Sequence, residues 1–302
     1  MSDLGSGIPA PGQPDGSGGP VGEPTCPRHP GVVSYVRCQR CGRPTCPACQ
    51  RPAAVGVQCV DCVREAAKQS RTVTTVFGGK VTDGRPLVTW AIVAICVVVW
   101  IGEKLNDTVF QAVAFSSALG EVEPWRFLTS AFAHDPNTIF HILFNMYALW
   151  IIGPYLESLL GHVRFAAAYL ISAVGGGVVW LLLSAPPAQD QSWTDSSWYT
   201  GVVGASGAVF GLFATLIVLN RRLGRDSRFI WVTVAINAVL GFTIPNIAWQ
   251  GHLGGFITGA ACAAIIAHAA RGRSQAVQQW LGLGLVTALL VVLAVVKYMM
   301  VA

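Results

Sequence analysis

Three apolar runs of this sequence carry polar side chains of the types that perform acyl transfer. Ser206 lies in a Gly-Ala-Ser-Gly motif at positions 204–207, and His252 lies near the start of another run. His141 and Asn145 stand four residues apart in a third run, so a helix places both on one face. A serine hydroxyl is a weak nucleophile, and an adjacent imidazole activates it by accepting its proton. These residue types predict a Ser206–His252 pair, with the other two side chains and the backbone N–H of Ser206 as donors to an oxyanion.

Inside the apolar runs we find no carboxylate that could complete a catalytic triad. Glu157 is the nearest and falls at the far end of its run, so we expect a dyad. A lone serine or histidine in a membrane helix is more often structural, and only convergence of several polar groups at one depth favours catalysis. Trp193, Trp198 and Tyr199 are typical of an interfacial aromatic belt. Ser206 would then lie on the order of 10 Å below the interface, at 1.5 Å per residue.

Glycines at helical spacing indicate how the helices bring these groups together. Gly207 and Gly211 follow the serine four residues apart, and Gly255 and Gly259 lie on the face that carries the histidine. Glycines let a second helix approach closely, although such spacing often serves packing alone. We expect the serine helix and the histidine helix to pack tightly, with the two reactive groups at their contact.

Composition indicates a protein that crosses a membrane several times. Only 12% of the 302 residues are charged, 53% are hydrophobic and the mean hydropathy is +0.53, whereas soluble domains carry about 25% charged residues. A spanning helix needs about 20 apolar residues. Uncharged runs of this kind predict seven spans, with a break between the fifth and sixth at Ile244-Pro245-Asn246. The predicted runs are 86–102, 136–156, 165–189, 196–220, two within 229–270, and 274–296.

Lysine and arginine in the connections predict the orientation of these spans. The connections that should share one side with the N-terminus carry Arg164, Arg221, Arg222, Arg271 and Arg273, whereas the opposite connections hold few bases. Basic connections stay in the cytoplasm, so the N-terminus is expected there and the reactive residues near the outer side. The net charge of +5 is therefore a topology signal, and no nucleic-acid partner is expected. The half-apolar segment 106–135 is expected to pack at the outer interface.

The N-terminal part carries a different kind of site. Seven of the nine cysteines lie between Cys26 and Cys62, joined by one histidine, and this odd cysteine count disfavours a disulfide framework. Two-residue spacings form four ligand pairs, enough for two structural zinc ions in tetrahedral sites and none for catalysis. The remaining cysteines, Cys96 and Cys262, fall inside apolar runs and are expected to be core residues. The pairs are Cys26/His29, Cys38/Cys41, Cys46/Cys49 and Cys59/Cys62.

Together these motifs resemble the rhomboid family of intramembrane serine proteases. The similar segments are His141–Asn145, Gly204–Gly207, Gly251–Gly259 and the pair Trp125-Arg126, within about 87–270. The resemblance implies an all-α membrane protein whose six-helix core cleaves transmembrane protein substrates near their outer ends. It implies Ser206 and His252 as the dyad and His141 and Asn145 as oxyanion donors. It also implies that Phe210 packs on the His252 ring and that Glu157 ties the first loop region to the bundle.

The cysteine segment resembles B-box zinc fingers, which implies that the first and third ligand pairs share one ion and the second and fourth share the other. Such a module could bind a cytoplasmic protein partner. The non-catalytic alternative is a membrane adaptor that binds client helices, whereas a transporter lacks its expected charged mid-membrane residues and repeats. The predicted divisions are a disordered tail 1–24, a cytoplasmic zinc finger 25–64, a linker 65–85, the six-helix core 86–270 and a seventh transmembrane helix 271–302.

Overall fold

The computed structural model describes residues 22–69, 73–81, 84–188, 191–192, 196–244 and 247–301. Most of the predicted tail, the predicted aromatic Trp193 and the predicted break at Pro245-Asn246 lie outside these residues. The chain divides into two compact units, Met1–Arg71 and Thr72–Ala302.

The described residues of the first unit form two short antiparallel hairpins and one helix. Its described residues bury no cluster of aliphatic or aromatic side chains; the buried clusters consist of cysteines, with Val60 packed against one of them. A unit with so little apolar core needs another source of stability, such as a metal. Its elements are β1 (Thr25–Cys26) paired with β2 (His29–Val33), a 3₁₀ turn (Pro47–Cys49), β3 (Gln50–Pro52) paired with β4 (Val57–Cys59), and α1 (Val60–Gln69).

The second unit is helical, as the composition predicts. Five of its described helices are long and apolar enough to cross a membrane: Leu87–Leu105, Ile139–Leu160, His162–Leu183, Trp249–His268 and Gln275–Val301. The predicted all-α membrane fold is thereby confirmed. The helices are α2 (Leu87–Leu105), α3 (Asp107–Val113), α4 (Arg126–Thr129), α5 (Ile139–Leu160), α6 (His162–Leu183), α7 (Ser206–Arg222), α8 (Arg228–Thr243), α9 (Trp249–His268) and α10 (Gln275–Val301).

Two of the seven predicted spans are shorter than the sequence indicates. α7 has 17 residues and α8 has 16, so at 1.5 Å per residue each extends about 25 Å, less than the bilayer core. The polar start of the predicted run 196–220 is not helical, and α7 begins only at Ser206. Twelve of the 17 residues of α7 are buried. A helix enclosed by protein in this way need not match the lipid thickness.

Parts of the predicted linker 65–85 are structured and belong to one or the other unit. Its first residues complete α1, while Thr74 and Lys80 form a bridge within the second unit. Phe77, at the turn between them, is 2% exposed and joins the helical core. Its carbonyl oxygen accepts a hydrogen bond from Gln279 in the C-terminal helix Gln275–Val301, so this segment also anchors that helix.

The long connection between α2 and α5 packs against the helices. Phe115 and Phe127 are buried and their rings lie 4.4 Å apart. Arg126 of the predicted Trp-Arg pair is buried, pairs with Glu123 and donates to the carbonyl oxygen of Ala114. Phe115 also pairs with Val202 through backbone hydrogen bonds, which hold the connection close to the start of α7.

Candidate active site

The helices α7 and α9 bring the predicted nucleophile and base together. Ser206 is the first residue of α7, and His252 lies in the first turn of α9. The Nε2 atom of His252 lies 2.8 Å from the Oγ atom of Ser206. Both side chains are half-buried, so they are neither sealed in the core nor fully open to solvent. This distance is within the reach that a general base needs to accept the hydroxyl proton.

Phe210 holds the His252 ring from one side. The two rings stack with their centroids 4.3 Å apart and their planes 8° apart. Phe210 lies one turn after Ser206 on α7, so one helix presents both the nucleophile and the surface on which the base rests. The His252 ring is hydrogen-bonded to Ser206. Among the described residues, no carboxylate forms an ion pair with the His252 ring.

The glycines on the two helices place their backbones in direct contact. A Cβ atom on Gly255 would overlap the carbonyl oxygen of Gly207, and one on Gly259 would overlap that of Gly211. The Thr215 hydroxyl donates to the carbonyl oxygens of Gly211 and Gly259, at 2.8 and 3.2 Å, and so ties the helices together one turn further on. Because no side chain separates α7 from α9 here, Ser206 and His252 can meet at the end of this contact.

Replacing Gly255 by alanine is expected to lower the melting temperature of the protein in detergent. The added methyl group would collide with a backbone oxygen, which cannot rotate away, and overpacking typically costs about 1–3 kcal/mol. Gly284→Ala in α10 is the matched control, since a Cβ atom there meets nothing within 4 Å. Equal melting temperatures for the two variants would contradict the close contact between α7 and α9.

His141 lies beside the serine motif. Its Nε2 atom is 2.7 Å from the position that a Cβ atom on Gly204 would occupy, and that position is 3.4 Å from Ser206 Oγ. Gly204 has a φ of +130°, which L side chains rarely adopt, so both backbone conformation and space require glycine here. The Nδ1 atom of His141 accepts a hydrogen bond from the backbone N–H of Asp135 at 3.2 Å.

Asn145 is buried one turn further along α5. Its Nδ2 atom donates to the carbonyl oxygen of His141 at 2.9 Å. This bond leaves the second amide hydrogen available, since an asparagine amide has two. The described hydrogen bonds do not join Asn145 directly to Ser206 or His252, so the structure places it next to His141 rather than at the Ser206 hydroxyl.

A small cavity adjoins Ser206. It has a volume of about 50 Å³, enough for a water molecule. Gly204, Gly207 and Gly251 form part of its wall, and the buried indole Nε1 of Trp180 has no hydrogen-bond partner among the described residues. The site therefore offers a nucleophile, a base and a neighbouring space, which are the elements of hydrolytic acyl transfer.

Three buried polar residues make contacts that the sequence did not predict. Glu157 accepts hydrogen bonds from the backbone N–H groups of Val88 and Thr89, so it binds the start of α2. The expectation that it would tie the first loop region to the bundle was therefore wrong. Glu103 and His134 are both fully buried, and the Glu103 carboxylate accepts the backbone N–H of His134. Burial lowers the pKa of His134 to about 3, which keeps its ring neutral. Glu103 immediately follows the first predicted run. Its spacing of three residues from Trp100 was the sequence signal that both side chains lie on one face of the helix.

Where the structure describes the first unit, it holds two groups of potential metal ligands. Within each group the ligand atoms lie within 4.8 Å of one another, and the groups combine the first ligand pair with the third and the second with the fourth. His29 presents its Nδ1 atom, 3.2 Å from the sulfur of Cys46. Three thiols with one imidazole, and four thiols, are donor sets that fit a tetrahedral zinc ion. The groups are Cys26, His29, Cys46 and Cys49, and Cys38, Cys41, Cys59 and Cys62.

The thiols within these groups differ in their proton affinity. A hydrogen bond from the backbone of Cys46, the largest of several causes, lowers the pKa of Cys26 to about 6. The neighbouring Cys59 thiol, followed by burial, raises the pKa of Cys62 to about 12. Clustered thiols cannot all ionise without a counter-charge, and a bound cation would supply it.

The helical unit of this chain is similar in sequence to known proteins. Residues 121–269, which include Ser206 and His252, match the Rhomboid domain family. The chain is 30% identical to Rhomboid protease GluP of Bacillus subtilis over 216 residues, 68% of this chain and 39% of that protein. It is 31% identical to RHOMBOID-like protein 5 of Arabidopsis thaliana over 145 residues, 46% of this chain and 43% of that protein. The chain thus spans less than half the length of these two relatives.

A third relative is matched over more of its length. The putative rhomboid protease YdcA of Bacillus subtilis is 29% identical over 194 residues, which are 59% of this chain and 88% of that protein. The Rhomboid match begins at residue 121, within the second unit, so it does not include the cysteine-rich unit.

Proposed function

We propose that this chain, whose residues 121–269 match the Rhomboid domain family, is an intramembrane serine endopeptidase that cleaves transmembrane protein substrates. In this proposal Ser206 is the nucleophile and His252 is its general base. The contact of 2.8 Å between His252 Nε2 and Ser206 Oγ is the observation that carries it. The relatives named as rhomboid proteases support the same class of activity.

The proposed reaction proceeds through two acyl transfers. Ser206 Oγ attacks the scissile carbonyl carbon while His252 accepts the hydroxyl proton, and the carbonyl oxygen becomes an oxyanion. His252 then gives this proton to the leaving amine as the C–N bond breaks, which leaves an ester on Ser206. Water, activated by the same imidazole, hydrolyses the ester and restores the hydroxyl. The stack on Phe210 keeps the His252 ring in one plane through both steps.

Donors for the oxyanion come from α7 and α5. Ser206 is the first residue of α7, where backbone N–H groups have no partner within the helix. His141 accepts at Nδ1, so its neutral ring carries the proton on Nε2, which faces Gly204 beside Ser206. We assign Asn145 to the same role through its remaining amide hydrogen, and through its hold on the His141 backbone. Removing one such donor typically costs about 10²–10³ in rate.

Substrate access follows from the positions of these groups along their helices. His141, Asn145, Ser206 and His252 all lie in the first two turns of α5, α7 or α9. Basic residues such as Arg221 and Arg222 lie at the opposite end of α7. By the positive-inside rule that end faces the cytoplasm, together with the N-terminus. The proposed site therefore opens to the outer side of the cell membrane, near the ends of substrate helices.

The N-terminal unit completes the proposal. We assign it two structural zinc ions, one in each ligand group, because both donor sets fit zinc and no other core supports the described residues of this unit. On the cytoplasmic side, such a module would bind a protein partner. The chemistry proposed for the helical unit does not use zinc.

Reconstitution into vesicles with a fluorescent single-span substrate tests the proposed activity. The wild-type protein is expected to cleave the substrate and to react with a fluorophosphonate probe, whereas Ser206→Ala should do neither. Undiminished cleavage by Ser206→Ala would overturn the assignment. Substrate binding by the wild type without any cleavage would instead favour the non-catalytic adaptor, and would equally overturn it.

A further inference from the structure

Glu103 is a buried carboxylate near the C-terminal end of α2 that the proposed chemistry does not use. Its side chain is 1% exposed, and α2 is one of the helices that can span the membrane. Burying a carboxylate in such a place costs free energy unless specific contacts offset it, and such residues usually serve a function. The contacts of Glu103 therefore indicate what it contributes.

The carboxylate holds the backbone of the loop that leads into α5. Its Oε2 atom accepts a hydrogen bond from the backbone N–H of His134 at 3.1 Å. One turn earlier on α2, the indole Nε1 of Trp100 donates to the backbone carbonyl of Asp135 at 3.3 Å. Thus α2 binds two successive residues of the loop, one through an acceptor and one through a donor.

The ring of His134 offers this loop little further polar support. It is completely buried, and neither of its nitrogens has a hydrogen-bond partner among the described residues. Its edge packs against His141, with the ring centroids 5.2 Å apart. Among the hydrogen bonds of the described residues, the one from the His134 backbone N–H to Glu103 therefore holds His134 in place.

The same loop determines which nitrogen of His141 carries the proton. The backbone N–H of Asp135 donates to His141 Nδ1 at 3.2 Å, so Nδ1 must be unprotonated. In a neutral imidazole the proton then resides on Nε2, the atom that faces Gly204 and Ser206. A rotation of the Asp135 peptide would remove this constraint and allow the tautomer that cannot donate toward the serine.

We propose that Glu103 is a positioning residue that, through the backbone of His134 and Asp135, keeps His141 Nε2–H directed at the oxyanion. This inference rests on the proposed protease function, since it assigns a role to a donor of that site. Glu103 does not touch the reacting atoms. Trp100 acts with it from the same face of α2, three residues earlier.

Steady-state kinetics on two Glu103 variants test the inference in the full-length reconstituted protein. Glu103→Leu removes the acceptor at similar size and is expected to lower kcat by about 10- to 100-fold, less than complete loss of a donor, with KM nearly unchanged. Glu103→Gln keeps an acceptor oxygen and should retain most of the activity. Glu121→Leu, which replaces an exposed glutamate, is the matched control and should match the wild type.

A double-mutant cycle with His141→Ala separates positioning from general support of the fold. If Glu103 acts through His141, Glu103→Leu should cause almost no further loss of kcat in the His141→Ala background. An equal loss in both backgrounds, or Glu103→Gln as impaired as Glu103→Leu, would overturn the inference. If Glu103→Leu does not fold, Trp100→Phe takes its place in the cycle, because it removes the donor to Asp135 and keeps an aromatic ring at this position. Cleavage that persists in Ser206→Ala would instead overturn the protease assignment itself.

Discussion

Replacing His252 by alanine is expected to lower kcat by about 10⁴- to 10⁶-fold while substrate binding and the melting temperature change little. Without the imidazole, the Ser206 hydroxyl loses the group that accepts its proton, and the leaving amine loses its proton donor. The described part of the chain places no other base within hydrogen-bonding distance of Ser206 Oγ. Residual activity would come from the oxyanion donors and from substrate positioning alone.

The double variant Ser206→Ala/His252→Ala gives the sharper test of the dyad. Two groups that act in one proton transfer are not additive, so this variant should be no slower than the worse single variant. His268→Ala is the matched control, because His268 lies exposed at the opposite end of the same helix α9. Single-turnover cleavage in vesicles measures the chemical step. A loss of less than about tenfold for His252→Ala would contradict its role as general base.

The proximity of Ser206 and His252 could be predicted because lipid restricts the choices of the chain. Polar groups in a membrane must face protein or water, and glycines at i, i+4 mark where two helices touch. The structure shows Gly207 against Gly255 and Gly211 against Gly259, as this spacing indicates. Helical periodicity and the apolar surroundings were therefore sufficient to predict that the two helices touch and that Ser206 and His252 meet at their contact.

Contacts made by loops could not be predicted in the same way. Phe77 belongs to a segment without periodicity, and its burial depends on partners distant in sequence, such as Gln279. The start of α7 at Ser206 depends on the backbone pairing of Phe115 with Val202, which holds the preceding residues extended. Glu103 lies at the edge of an apolar run, where a carboxylate usually reaches solvent. Only the fold shows that it turns inward to bind His134.

Which ligand pairs share an ion also depends on the tertiary fold of the first unit. The two-residue spacings bring both members of a pair to one ion, but they do not choose the partner pair. The structure groups alternate pairs, so chain segments 17 to 21 residues apart meet at each group. Each ion would therefore close a long loop, and metal binding would order most of the unit at once.

Removing the metal is accordingly expected to unfold residues 25–64 and leave the helical unit folded. Structural zinc contributes about 10–16 kcal/mol of apparent binding free energy in zinc-finger peptides, more than the roughly 3–5 kcal/mol that the core of so small a domain supplies. The described residues of this unit offer no aliphatic core to compensate. We expect two zinc ions per full-length chain by mass spectrometry of the metal, and loss of amide dispersion in the N-terminal unit after chelation.

Two variants make this expectation specific. Cys46→Ala removes a ligand of the first group and should lower the zinc content below two ions per chain. Cys262→Ala is the matched control, since Cys262 is buried within α9 and belongs to neither group, and it should retain both ions. Helix content by circular dichroism should stay nearly constant on chelation, because the long helices belong to the second unit. Retained amide dispersion in the metal-free protein would show that this small unit folds by other contacts, and would contradict the proposed role of the metal.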